Sequence, residues 1–321
     1  MSLEEIYAGV TREIAEVDEQ IRTSVANKGT FLSEVTGHFL TASGKKLRPA
    51  IVLLAGKACG GNRKRLVNLA ASLELIHMAS LVHDDIIDRS VTRRGNVTAN
   101  TKWGSRVAVL LGDYFYARAL GLAAPLGERV NRALSEIVGS LVEGEFNQLE
   151  NRLGSNITET YYLETVSHKT ARFISLCCRL GAEAGKPSPE VVDGLSQYGF
   201  FTGMAYQIRD DILDLTGCSS NRGREHSQDL KSGVITLPVV HAVNNGPCGN
   251  EIKELITKDR LTVNEIRKII HCVRLTGSIE YSAGKAREYI CKAKESLQVL
   301  PAGRARDALT LLAEYINDRV S

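Results

Sequence analysis

Two runs of aspartates in this chain share one spacing. Asp84, Asp85 and Asp88 lie in "HDDIID", and Asp210, Asp211 and Asp214 lie in "RDDILD". On a helix, residues four apart share a face, about 6 Å apart along the axis. Asp84 and Asp88 would therefore project together, as would Asp210 and Asp214. Like charges at that spacing destabilise a helix, and the C-terminal end of a helix also disfavours anions. Both runs close an apolar segment, such as "LAASLELIHMASLV" at 69–82. A compensating cation is called for. Magnesium suits the donors, because it takes hard oxygen ligands and is often held by a few carboxylates while it ligates a phosphate. One such run alone reads more simply as a solvated acidic helix end. Two runs, each on an apolar helix and each near basic residues, favour metal.

The basic residues suit a polyphosphate. "SGKKLRP" supplies Lys45, Lys46 and Arg48. "TRRG" supplies Arg93 and Arg94 just past the first run, and "SHKTARF" supplies Lys169 beside the hydroxyl of Thr170. "RGREHSQDLKSG" supplies Arg224 and Lys231 past the second run. Arginine forks pair with phosphate oxygens and lysine supplies a point charge. Each taken singly is more often a surface charge; their placement beside the aspartates points to a ligand with an anionic head and a greasy body.

Helices must position these groups. Apolar residues recur at spacings of three and four in long windows: Leu3, Ile6, Val10, Ile14, Val17 and Ile21, and again from Leu195 to Leu215 and from Ala305 to Ile316. Strand-like alternation is scarce and only seven prolines occur. The pattern predicts an all-α protein of roughly ten or more helices, several buried on most sides. No low-complexity linker divides the chain, so 1–321 reads as one domain. A net charge of +3 with no basic-aromatic alternation argues against nucleic acid. Seven cysteines form no CxxC pair of zinc-like spacing and read as free thiols of a reducing cytosol. The N-terminus is acidic and helix-periodic, unlike a signal peptide. No uninterrupted apolar run approaches the ~20 residues of a membrane span. The expected location is cytoplasmic, with at most peripheral membrane contact for product release.

With these residues in hand, the chain resembles the trans-isoprenyl diphosphate synthases, or polyprenyl synthetases. The likeness rests on "GKKLRPAIVLLAG", "LELIHMASLVHDDIIDRSVTRRG", "LLGDYFYARAL", "KTA", "YGFFTGMAYQIRDDILDLTG" and "DLKSGVITLP", in that order. It implies a single helical bundle of the isoprenoid synthase type with a central substrate cavity, a homodimer, and three magnesium ions per site. It implies head-to-tail condensation of isopentenyl diphosphate onto an allylic diphosphate. The motif match puts metal on Asp84, Asp88, Asp210 and Asp214, with Asp85 and Asp211 as catalytic support. It puts the allylic diphosphate near Arg93, Lys169 and Lys231, and isopentenyl diphosphate near Lys45, Arg48, His77 and Arg94. Thr170 and Gln207 would lie near the allylic substrate and the cation. The family usually carries lysine where this chain has Arg224, a change that keeps charge but not geometry.

Product length is read one turn before Asp84. Ala79 and Ser80 are small there, and in the family an aromatic at either position tends to close the tunnel early. The expected product is therefore long, at least about six isoprene units, from a farnesyl or geranylgeranyl primer, as for a quinone side chain. Phe115, Tyr116 or Phe146 would close the tunnel if one of them plugs it deeper down. A shorter-chain synthase, and the catalytic subunit of a two-component enzyme with a small partner, are the near alternatives. A cyclising terpene synthase would need no second diphosphate pocket, which intact "GKKLRP" and "TRRG" argue for. A His-Asp phosphohydrolase would need more histidine ligands and would leave the second aspartate run without purpose.

Overall fold

The computed structural model describes residues 2–27, 29–41, 44–152, 157–217, 227–258 and 260–318. Arg224 lies outside them. The described residues are helical almost throughout, as expected. Two compact units are discernible. One comprises Met1–Val138, Leu176–Ser196 and Leu297–Leu311; the other comprises Gly139–Ser175, Gln197–Ser296 and Leu312–Ser321.

In the first unit the long helix Arg63–Ile87 runs through the core. Asn62 caps its start by accepting from the backbone N–H of Arg65 at 3.1 Å, which satisfies one of the helix's open donors. Leu66, Leu69, Leu73, Leu75, Ile76 and Val82 are all buried, on more than one side of the helix. The helix ends at Asp88, so the first aspartate run sits at its C-terminal end. After it the structure places a small antiparallel hairpin, with Thr92 opposite Val97 and Arg93 opposite Asn96. Arg94 and Gly95 form its turn at φ 52° and 81°. Two successive positive φ angles match the twist of a two-residue hairpin, and glycine adopts the second without strain.

In the second unit the helix Pro189–Thr216 carries the other aspartate run on its last turns. Met204, Ile208, Ile212 and Leu215 bury one face of it among Tyr162, Val166, Leu230, Leu237 and Val240. The helices Glu159–Val166 and Arg172–Glu183 are joined by a π-helical turn, Ser167–Ala171. Such turns are uncommon and often occur at functional sites. This one carries Lys169 and Thr170.

Two helices are long and apolar enough to cross a membrane by length and composition. In Arg63–Ile87, 72% of the apolar window is buried inside the protein, which suits a core helix. In Ser105–Leu126 only 33% is buried.

Candidate active site

The first aspartate run divides by burial. Asp85 is turned inward and is 3% exposed, whereas Asp84 and Asp88 are half-buried on the shared face. Arg93 donates from Nε to Asp85 Oδ1 at 2.8 Å. Burial still pushes the Asp85 carboxyl up, Arg93 opposes that, and the charge of Asp88 adds to it. Asn100 donates to the backbone oxygen of Asp85 at 3.2 Å and fixes the end of the helix. Asp85 therefore anchors Arg93, and the i, i+4 pair Asp84 and Asp88 presents the metal-type oxygens. Tyr116 stands in the field of Asp84, and its hydroxyl is pushed up to about 12 by burial and then by Asp84 and Asp113.

The basic residues of this unit gather around His77. The residue is half-buried, and its pKa is held well below the ordinary range by desolvation first and then by Arg48, Arg94 and Arg93. His77 is thus neutral and sits among three guanidinium groups. Glu74, one turn earlier on the same helix, is 7% exposed. Its carboxyl is raised by burial, while Lys46, Arg48 and Arg94 pull it down. Lys46 sits at φ 51° and pairs with Asp18 at 2.6 Å. Tyr7 donates its hydroxyl to the Lys45 carbonyl at 3.0 Å. A side chain at Gly44 would collide with the Arg94 guanidinium, so glycine there lets residues 44–46 lie close to Arg94. Of the set expected for isopentenyl diphosphate, Arg48, His77 and Arg94 are brought together and Lys45 is in the loop beside them; Arg93, expected with the allylic diphosphate, joins the same cluster.

The second run repeats the division. Asp211 is 3% exposed, while Asp210 and Asp214 are half-buried. Tyr162 donates to Asp211 Oδ2 at 2.6 Å, and Gln207 donates to Oδ1 at 2.8 Å. Thr170 in turn donates to the Gln207 carbonyl oxygen at 2.9 Å. Burial pushes the Asp211 carboxyl up to about 7; the Tyr162 and Gln207 bonds pull it down, and Asp210 and Asp214 raise it. Asp214 accepts from the backbone N–H of Gln228 and Asp229 at 3.1 and 3.2 Å, and its carbonyl accepts from Ser227. It therefore holds the short helix Gln228–Lys231, and with it Lys231. A carboxylate offers about four acceptor directions, so this cap is compatible with metal ligation. Lys169 donates to Glu145 at 2.5 Å and to Gln148 at 2.8 Å, both on the helix Glu128–Arg152.

The donors fit a hard divalent cation. In both runs the outer carboxylates share one half-buried face at a helix end, and the middle carboxylate is already satisfied by its own partners. Asp85 and Asp211 accordingly act on the site through the residues they hold. Tyr162, Glu145, Gln148 and Glu74 were not expected from sequence. Glu74 alone carried a signal there, as a lone acid in an apolar stretch one turn before His77. Ala79 is fully buried, and Ser80 donates to the His77 carbonyl at 2.9 Å. Of the three bulky candidates for closing the tunnel, Phe115 is fully buried against Phe39, and Phe146 is 68% exposed.

The polyprenyl synthetase family model matches residues 30–273. Heptaprenyl diphosphate synthase component 2 of Bacillus subtilis is 35% identical over 320 residues, covering 99% of this chain and 91% of that protein. Octaprenyl diphosphate synthase of Escherichia coli is 33% identical and covers 99% of each. The crystal structure of a polyprenyl synthase from Caulobacter crescentus, complexed with calcium and isoprenyl diphosphate, superposes with a TM-score of 0.93 at 29% identity, covering 100% of this chain and 98% of that one.

Proposed function

Because the chain belongs to the polyprenyl synthetase family, we propose that each aspartate run holds magnesium on an allylic diphosphate that the enzyme elongates with isopentenyl diphosphate. The enzyme is a prenyltransferase that makes a long-chain all-trans polyprenyl diphosphate. The observation that carries the site reading is the repeated division of the two runs. Asp84 with Asp88, and Asp210 with Asp214, present oxygens on a half-buried face, while Asp85 and Asp211 are tied inward. When bound, magnesium (three ions per site in this reading) supplies charge neutralisation for the departing diphosphate.

The chain's own residues do the rest. Arg93, anchored by Asp85, and Lys169, anchored by Glu145 and Gln148, are pre-aimed cations for the developing phosphate charge, as is Lys231 on the turn held by Asp214. Lys45, Arg48, Arg94 and neutral His77 bind isopentenyl diphosphate. A neutral imidazole donates a hydrogen bond without adding charge. Thr170 and Gln207, hydrogen-bonded to each other, lie near the allylic substrate and the cation left on its carbon in this reading. The alkene attacks that carbon, and the proton lost passes to the released diphosphate, so no protein base is required. Apolar walls exclude water that would quench the cation.

The assembled state in this reading is a homodimer. Val109, Leu110 and Leu120 on the helix Ser105–Ala123 are exposed, as are Val142, Phe146 and Leu149 on Glu128–Arg152. Exposed apolar stripes of this kind mark protein contacts. A small partner subunit is also admitted, since one relative is named as a component. The deciding test incubates purified protein with magnesium, farnesyl diphosphate and labelled isopentenyl diphosphate, then separates the dephosphorylated products. A ladder ending at six or more units supports the reading. No elongated alcohol would refute it for the chain acting alone.

A further inference from the structure

One cluster outside the site has the makings of a second metal centre. Cys248 lies at the start of the helix Gly249–Ile256, and Glu251 is three residues on. Cys272 lies on the helix Val263–Leu275. The two sulfurs and a Glu251 oxygen all lie within 4.8 Å of one another, the only such trio of metal-type ligands among the described residues. Tetrahedral bonds of about 2.3 Å to sulfur and 2.0–2.2 Å to oxygen put ligand atoms a little under 4 Å apart. The trio needs a small inward shift to reach that.

The backbone around the cluster is built for close approach. A side chain at Gly249 would strike the Val243 carbonyl, and one at Gly246 would strike Thr276 just beyond Cys272. Gly249 lets the turn bearing Cys248 fold tightly back on the preceding helix Leu237–Asn245, and Gly246 lets it seat against the end of the helix bearing Cys272. Thr276 donates back to the Cys272 carbonyl at 3.0 Å and holds that helix end. Cys272 is 4% exposed, Cys248 is half-buried and Glu251 is exposed. The site is therefore closed on one side and open to solvent on the other, which leaves a position for water.

Charge also balances. Two thiolates and a carboxylate around a divalent ion sum to −1. Lys268, four residues before Cys272 and on the same face, is hydrogen-bonded to Glu251 Oε1. Its ammonium brings the assembly to neutrality.

We propose that Cys248, Glu251 and Cys272 form a site for a thiophilic divalent cation of the zinc type, with water as fourth ligand. Soft thiolates select such ions, whereas magnesium would not be held there. On binding, each thiol gives up its proton to solvent and both sulfurs bond the metal. The bond would tie the start of one helix to the last turn of another across 24 residues of chain.

The test uses the full-length protein, stripped with chelator under a phosphine reductant and saturated with magnesium to occupy the aspartates. Cobalt(II) is titrated in and the near-ultraviolet sulfur-to-cobalt charge-transfer band is followed. One equivalent should bind with that band, and zinc should abolish it. Cys248→Ser, at a half-buried turn position, should lose the band with unchanged far-ultraviolet circular dichroism and unchanged prenyl transfer. Glu251→Gln should keep the band but weaken binding by about tenfold. Absence of the band in the wild-type protein, or its persistence in Cys248→Ser, overturns the proposal.

Discussion

The hydroxyl of Tyr162 offers a clean perturbation. It is buried and donates to Asp211 Oδ2 at 2.6 Å, and Asp211 is itself 3% exposed. Tyr162→Phe removes one oxygen and keeps the ring, so packing against Ile208 and Ile212 in the same core is retained. What is lost is a hydrogen bond to a buried acid. Such bonds are worth about 1.5–3 kcal/mol when the acceptor is charged and about 0.5–1.5 kcal/mol when it is neutral. Gln207 still donates to the other oxygen at 2.8 Å, so the carboxyl is not stripped of all partners. The expected loss is therefore about 2 kcal/mol, a shift of roughly thirtyfold in the unfolding constant. The assay is denaturant unfolding followed by far-ultraviolet circular dichroism at pH 8, in Tyr162→Phe, Asp211→Asn and the double variant. Asp211→Asn makes the acceptor neutral, so Tyr162→Phe in that background should cost only about 1 kcal/mol. The difference is the coupling. A single-variant loss under about 0.5 kcal/mol, or an equal loss in both backgrounds, would refute the view that Tyr162 holds Asp211 in place.

Three further outcomes are expected. Asp84→Ala and Asp210→Ala should each lower turnover at least about 100-fold with the fold intact, and chelation of magnesium should do the same to the wild-type enzyme; near-normal steady-state rates in either variant would contradict the metal reading. His77 is half-buried beside arginines with its pKa lowered, so the folded state stays neutral while the unfolded chain binds a proton below the ordinary value of 6.5. At this residue the unfolded state then holds more protons, so the His77 contribution to stability falls as pH drops below about 6.5, by up to ~1.4 kcal/mol per pH unit, and the stability difference between wild type and His77→Gln in unfolding titrations should change with that slope, the raised Asp211 carboxyl being common to both. Ala79→Tyr should shorten the product ladder; chromatography showing unchanged length would mean that Ala79 does not line the growing chain.

The helical class was legible because long apolar periodicity has one inexpensive solution. The two aspartate runs were legible for a related reason. Their i, i+4 spacing puts carboxylates on one face wherever a helix forms, and that placement needs no tertiary information. The paired basic motifs could be read as phosphate-binding because arginine and lysine keep their charge in any context. What the sequence did not reveal is which member of each run faces inward. Asp84, Asp85 and Asp88 are equivalent as letters. Only the packed helix shows that Asp85 meets Arg93 across a hairpin turn, and that Asp211 meets Tyr162 from 49 residues away. The hairpin itself was missed because strands of two residues leave no periodicity to read. The π turn at Ser167–Ala171 likewise leaves no local pattern to read, and its Lys169 and Thr170 meet Glu145 and Gln207 from distant parts of the chain. Cys248 and Cys272 looked like unrelated thiols because they are far apart in the chain, and close glycine-mediated packing brings them together. Local spacing determined the chemistry on offer; long-range contacts, which no local pattern encodes, decided which atoms present it.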